Sequence, residues 1–305
     1  MPGTNAEHQD LLSSPFPPSL RPGMRISIAS GKGGTGKSFI ALNLACTLAK
    51  SRDVCLVDCD VEEPNLHLFF EECWTEEDAT VPVPVVDSST CTLCGRCGEI
   101  CQFGAITVLS NRVLLLPDLC HSCGGCSLAC PEGAIHEEDR VIGKIQVGMP
   151  FPRLTLVTGI LKEGEIAAPR MIRMTKERVE GHSLVIYDGP PGTACPVIET
   201  LEGSDLCILV TEPTPFGYHD LRKAASIAGK LGIPAGVVIN RSSGEDSRIR
   251  SFCASVGIPV WLQIPFDRQI ALLHGRGKIL VDEDPNWQEP FQALFQQVCR
   301  MEEGG

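Results

Sequence analysis

Apolar residues fall along the chain in short blocks separated by polar turns, and the period within each block predicts an element. Arg25–Ser30 reads as a short strand. Ser38–Lys50 places Ala41, Leu44, Ala45 and Leu48 at helical spacing, on one face of a helix. Val54–Val57 is a compact apolar run, as expected of a strand buried on both faces. Further on, Ile166–Val179, Tyr218–Leu231 and Ser247–Val256 predict helices. Leu184–Asp188, Leu206–Thr211, Ala235–Asn240 and Pro259–Ile264 predict strands. Such alternation implies an α/β fold, a mainly parallel sheet with helices on both faces. In such sheets the chemistry gathers beyond the C-terminal ends of the strands. Four polar motifs fall there: Gly31–Ser38, Asp58–Asp60, Asp188–Gly192 and Asn240.

The rhythm breaks between about Thr80 and Glu138, where the chain is rich in Cys, Gly and Pro. Cys91–Ile106 and Cys120–Ile135 align as C-x2-C-x2-C-x3-C-x2-G-A-I, two copies of one small unit. The expected organisation is a leader over 1–23, a first α/β part over 24–79, an inserted small α+β module over 80–138, and a second α/β part over 139–305. The leader's Ser-Ser-Pro-Phe-Pro-Pro stretch fits neither helix nor central strand.

Composition narrows the class. A chain of 305 residues has room for one large α/β domain and a small module, and 43% hydrophobic content supports a sizeable core. A net charge of −12 argues against non-specific binding to nucleic acid or anionic lipid. No segment at Met1–Gly23 looks like a signal peptide, and no run approaches the ~18 apolar residues of a membrane span. Of the 16 cysteines, half lie in the two dense runs; Cys46, Cys55, Cys59, Cys73, Cys195, Cys207, Cys253 and Cys299 are scattered. The expectation is a cytoplasmic, reduced protein whose clustered thiols bind metal. At the C-terminus, Phe291, Leu294, Phe295 and Val298 form a helical apolar face, with Arg300 the only basic neighbour before Glu302 and Glu303. Such a tail packs on the body rather than anchoring to a membrane.

The sequence Gly31-Lys32-Gly33-Gly34-Thr35-Gly36-Lys37-Ser38 fits the phosphate-binding loop G-x4-G-K-S/T, after a strand and before a helix. Its glycines let backbone N–H groups close around a phosphate, and the helix N-terminus adds a positive dipole. Lys37 would reach the β- and γ-phosphates of ATP, and Ser38 would hold Mg2+.

A second lysine inside the loop, Lys32, resembles the deviant Walker A motif of the MinD superfamily, which includes MinD, the nitrogenase iron protein and the Mrp/Nbp35-type ATPases. The resemblance runs from about Met24 to Gly275 and includes Thr211-Glu212-Pro213-Thr214-Pro215-Phe216-Gly217 followed by His219-Asp220. It implies an ATP- and Mg2+-dependent ATPase that works as a dimer, with itself or with a related ATPase. Lys32 would reach across the interface to the other subunit's nucleotide, as an arginine finger does. Val57–Asn65 resembles switch I, with Asp60 positioning or activating the attacking water and Asp58 in the Mg2+ shell or in a structural role. Asp188-Gly189-Pro190-Pro191-Gly192 resembles Walker B and switch II. Asn240 and Pro265 resemble the adenine-side contacts.

Cys91, Cys94, Cys97 and Cys101, then Cys120, Cys123, Cys126 and Cys130, match the spacing of bacterial ferredoxins with two 4Fe–4S clusters. In that fold the fourth cysteine of each run ligates the other cluster. One cluster would take Cys91, Cys94, Cys97 and Cys130, and the second Cys120, Cys123, Cys126 and Cys101. Gln102 stands where proline is usual after the first run. Zinc sites present two C-x2-C pairs instead. Within the resemblance, Cys195 lies at the offset from Asp188 at which the nitrogenase iron protein carries a cluster ligand. It is either a ligand of a third, subunit-bridging cluster or a small residue before Pro196; Cys59 is a lesser candidate.

Four functions compete on these residues. The first is ATP-gated electron transfer or cluster handling with a redox or cluster-accepting partner. The second is an Mrp/Nbp35-type cluster carrier, although no C-x2-C pair occurs outside residues 91–130. The others are a MinD-like spatial regulator and an amide-forming ligase related to cobyrinic acid diamide synthase; the ligases need neither clusters nor Lys32.

Overall fold

The computed structural model describes residues 23–71, 74–244 and 246–303. All but Gly23 of the expected leader, and Cys73, lie outside the described residues.

The chain opens with β1 (Met24–Ala29), α1 (Lys37–Ala49), β2 (Val54–Asp58) and a 3-10 turn at Leu66–Phe69. Then come β3 (Thr75–Val86), α2 (Arg96–Ile100), β4 (Ile106–Val108), β5 (Val113–Leu115), α3 (Gly125–Ala129), β6 (Ile135–Phe151) and β7 (Leu154–Leu161). The α/β alternation resumes with α4 (Ala168–Lys176), β8 (Leu184–Asp188), α5 (Cys195–Leu201), β9 (Leu206–Thr211) and α6 (Pro215–Lys230). It closes with β10 (Ala235–Ser242), α7 (Ser247–Val256), β11 (Val260–Pro265), α8 (Arg268–Gly275), α9 (Leu280–Glu283) and α10 (Gln288–Glu303).

Nine strands form one sheet in the order β11-β10-β9-β1-β8-β2-β7-β6-β3. From β11 to β7 the pairing is parallel; β6 and β3 are antiparallel. The central strands are buried on both faces, as their unbroken apolar runs require. One core packs α1 and α10 against the sheet; Phe291, Leu294, Phe295 and Val298 lie within it, so the apolar stripe of the tail is covered by the body. On the opposite face, one core forms under α4 and a second under α5, α6 and α7.

The antiparallel edge was not legible as strand. Pro82 and Pro84 look like strand breakers, but β3 is an edge strand, where a missing N–H costs no ladder bond. His136–Arg140 of β6 is polar and largely exposed, so no apolar alternation marks it. Residues 80 and 138, the expected edges of the insert, fall inside β3 and β6. These strands pair continuously from Thr75↔Val147 to Val86↔Ile135, whereas β6 meets β7 only from Gly143 onward. The remainder is a two-stranded arm. It extends roughly 25 Å past the end of β7 at ~3.4 Å per residue. Because β7 runs parallel to β2, the arm projects on the side of the sheet where β2 ends at Asp58.

Residues 87–134 form a lobe at the tip of the arm. It contains α2, α3 and the hairpin β4–β5, packed on Cys97, Ile106 and Ile135. The sequence repeat is a backbone repeat. Leu93 (φ 56°) matches Ser122 (φ 52°), and Gly95, Gly104 match Gly124, Gly133, all left-handed. Holding Leu93 and Ser122 in that conformation is costly for residues with a Cβ, and both sit immediately before the second cysteine of a run.

Candidate functional site

The P-loop is braced from several sides. Gly36 is left-handed (φ 97°) at the start of α1, and a Cβ there would lie 2.2 Å from Asn240 Nδ2. Only glycine permits that approach. Asn240 Nδ2 donates to the Thr35 carbonyl at 2.8 Å, and its Oδ1 accepts from the Arg241 N–H at 2.9 Å. The side chain expected to face the adenine edge therefore also fastens the P-loop to the end of β10. A Cβ on Gly31 would collide with the backbone of Asp220 on α6, at 2.4 Å. Sequence reasoning did not reveal these braces, because they join residues far apart in the chain.

Around the loop lies an open cleft of about 740 Å3. Gly33, Gly34, Gly36, Lys37 and Ser38 line it, with Asp60, Asn65, Asn240, Arg241 and Pro265. Of the predicted nucleotide residues, Gly33, Gly34, Gly36, Lys37, Ser38, Asp60, Asn240 and Pro265 line this cavity, whereas Gly31, Lys32, Thr35, Asp58 and Asp188 do not. Phe69, Ile270 and His274 also line it and were missed, since nothing local marks them. His274 stacks on Phe69 with ring centroids 4.9 Å apart.

The acidic end of the cleft is built at adjacent strand ends. Asp58 and Asp188 are register partners in β2 and β8, and both are fully buried. Asp58 accepts the backbone N–H groups of Asp60, Asn65 and Leu66 at 3.1, 2.9 and 3.0 Å, and so shapes the turn after β2. Asp188 has no hydrogen bond of normal geometry on either oxygen, although the Ser38 hydroxyl lies close enough to favour its charged form. Burial raises the carboxyl pKa of both Asp58 and Asp188; Asp58 raises Asp188 further, and Asp60 raises both. Asp60 is pushed up to about 6, by burial first, against the pull of Lys37. Burial lowers the Lys37 pKa, opposed by Asp188, Asp60 and Asp58. A buried carboxylate without a partner, beside a hydroxyl and a P-loop, fits a Mg2+ ion with its water shell. Ser38 would be the direct ligand, with Asp188 holding a coordinated water.

In the lobe the eight clustered cysteines gather around two hollows. Cys91, Cys94, Cys97 and Cys130 line one; Cys101, Cys120, Cys123 and Cys126 line the other. Each hollow thus combines three sulfurs of one run with the fourth of the other. The thiols surround a space rather than one point: among the described residues no three His, Cys, Asp or Glu form a group that could hold a single metal ion. Backbone N–H groups aim at the sulfurs, Ser122 at Cys120 (3.4 Å) and Ala134 at Cys130 (3.3 Å). Burial alone would raise the Cys101 thiol, but N–H groups of Phe103, Ala105, Ile106 and Gly104 hold it below its ordinary value. Burial raises Cys97 and Cys126. The ring of Phe103 stacks on His121 at 3.7 Å over the second hollow.

Cys195 is exposed at the start of α5. Cys59 is the correction: its side chain is fully buried among Val57, Val61 and Tyr187, where burial pushes the thiol pKa far up. Unlike the eight clustered cysteines, Cys59 lines neither hollow.

The parallel sheet with a phosphate-binding loop at its C-terminal edge defines a P-loop nucleotide-binding protein. The chain belongs to the CobQ/CobB/MinD/ParA nucleotide-binding domain family, whose model matches residues 26–281. Two uncharacterized proteins of Methanocaldococcus jannaschii are 28% and 30% identical, covering 87% and 90% of this chain and 97% and 96% of their own. A cytosolic Fe-S cluster assembly factor NUBP2 homolog of Culex quinquefasciatus is 25% identical over 86% of this chain and 90% of its own. In fold, the chain resembles the septum site-determining protein MinD of Pyrococcus horikoshii, complexed with Mg-ADP. The TM-score is 0.56 at 22% identity, covering 90% of this chain and 95% of that one. Among the described residues no helix is long and apolar enough to cross a membrane.

Proposed function

We propose that this protein is a nucleotide-switched, dimeric ATPase that carries two 4Fe–4S clusters in its lobe and couples ATP state to electron transfer or cluster handling with a partner protein. The lining of the two hollows carries this reading: each holds four cysteines in the crossed ferredoxin pairing, and backbone N–H groups approach the sulfurs, as hydrogen bonds that tune a cluster's potential would. In the cleft, Lys37 binds the β- and γ-phosphates, Ser38 and Asp188 hold Mg2+, Asp60 orients the attacking water, and Lys32 acts on the neighbouring subunit's nucleotide. A cluster-carrier role is the second reading, favoured by the relatives named as Fe-S cluster assembly factors.

Anaerobic purification with iron and sulfide analysis tests the clusters. About eight iron per chain supports two of them; zinc in place of iron overturns the assignment. If Cys195 helps bind a bridging cluster, wild type holds iron above that level and Cys195→Ser returns to it. Equal iron in both removes Cys195 from the ligand set.

What supports coupling is the segment that leaves switch I. Its backbone is held by Asp58; Phe69 then stacks on His274 in the cleft, and the adjacent Phe70 meets Phe151 of β6 edge-on at 5.7 Å. Trp74 lies over Gly148 of β6 so closely that a Cβ there would come within 2.4 Å of its ring. A shift at Asp60 on nucleotide exchange is thereby passed to the strand that bears the lobe. Phe70→Ala is expected to keep both clusters and basal ATPase activity while halving, at least, the ATP-induced change in cluster potential or spectrum. An unchanged response would place the coupling elsewhere.

A further inference from the structure

Side chains from three neighbouring strand ends at the C-terminal edge of the sheet converge on one carboxylate. Lys32, in the loop after β1, forms an ion pair with Glu212 at the end of β9. The second oxygen of Glu212 accepts from Arg241 Nη1, near the C-terminal end of β10, at 3.4 Å. The Glu212 side chain is 13% exposed and that of Lys32 33%, so the pair is partly withdrawn from water. Its placement is enforced. The Thr214 N–H donates to the Glu212 carbonyl at 2.8 Å, and the Thr211 hydroxyl donates to the Gly217 carbonyl at 3.0 Å. Gly217 packs so tightly that a Cβ would sit 2.2 Å from the Glu212 oxygen. On the other side, the Ser30 hydroxyl donates to the Lys32 carbonyl at 2.6 Å. Arg241 is fixed in a left-handed conformation (φ 53°) by its N–H bond to Asn240.

We infer that Glu212 is a positioning residue for Lys32: it holds the ammonium on its own subunit until a second nucleotide-loaded copy offers a phosphate, and so sets the concentration at which the dimer closes. The inference rests on the reading of Lys32 as a residue that acts in trans. A carboxylate that neutralises Lys32 in cis competes with the phosphate that would recruit it. Arg241 makes release feasible, because Glu212 keeps a counter-ion after Lys32 leaves instead of becoming a partly buried lone charge. Two cations on one carboxylate also leave a positive surplus that attracts the incoming phosphate.

The test is sedimentation of the nucleotide-loaded protein, with a non-hydrolysable ATP analogue and Mg2+, across a protein concentration series. Two such pairs break for each dimer formed, so Glu212→Gln is expected to lower the concentration for half-dimerisation about tenfold. Glu212→Asp, which keeps the charge but shortens the reach, moves it the same way by less and serves if the glutamine variant folds poorly. In a Lys32→Ala background neither substitution should shift it. An unchanged or weakened dimer in Glu212→Gln overturns the inference. The same shift with and without Lys32 assigns Glu212 a structural role and overturns it too. Wild-type dimerisation and turnover in Lys32→Ala alone would instead overturn the trans reading.

Discussion

Alanine at Lys32 is expected to cut ATP hydrolysis by about 10^3-fold, the scale of a cation supplied in trans to the transferring phosphoryl group, while leaving the iron content unchanged. The two lysines of the loop differ in environment. Lys37 is buried beneath the loop and faces Asp188, Asp60 and Asp58, so its removal would unbalance three carboxylates as well as the phosphate site. Lys32 is one-third exposed and touches Glu212, which retains Arg241 as a partner. Its truncation is therefore a clean removal of one cation from the loop. Phosphate release at saturating ATP, measured with iron and sulfide on the same sample, decides the outcome. Turnover equal to wild type would remove Lys32 from the catalytic machinery and leave it as a surface residue of the P-loop.

The parts of this molecule that were legible in the sequence are those whose signal is local. The P-loop announces itself through glycines whose spacing the backbone needs, and the buried strands through unbroken apolar runs. Each strand predicted in the α/β body is present, as is each predicted helix, with ends displaced by no more than three residues. The crossed grouping of the cysteines is what the ferredoxin resemblance implies; in the fold Cys130 lines the hollow of the first run and Cys101 that of the second. What could not be read depends on distant partners. β3 has prolines because it is an edge, a fact of sheet order. Asn240 braces Thr35 across most of the chain, and Glu212 collects Lys32 from the P-loop and Arg241 from the end of β10. The contacts of Phe70 and Trp74 with β6 require the register of that strand to be known.

Asparagine at Asp188 is expected to make the nucleotide-free protein more stable and the nucleotide-bound protein inactive. Asp188 is fully buried, without a normal hydrogen bond, and next to Asp58. Burial first, and then Asp58, raises its pKa in the folded state above the ~3.9 of an unfolded aspartate. A raised folded pKa means that the native state binds more protons than the unfolded chain between those two values. Stability is therefore lost as pH rises from about 4 toward neutrality and beyond. Asparagine keeps the shape, carries no charge and can donate to Asp58, so it should recover roughly 1–3 kcal/mol at neutral pH and little at pH 4. The apo melting temperature of Asp188→Asn should thus exceed that of wild type at pH 7.5 and converge with it in acid. With Mg2+ and nucleotide the order should reverse: wild type gains stability from the ion its carboxylate needs, and the variant does not. An apo variant less stable than wild type at pH 7.5 would show that Asp188 is held by a structural bond. A variant still stabilised by Mg2+-nucleotide would move the metal site away from β8. Both results together would contradict the view that this strand end trades stability for cation binding.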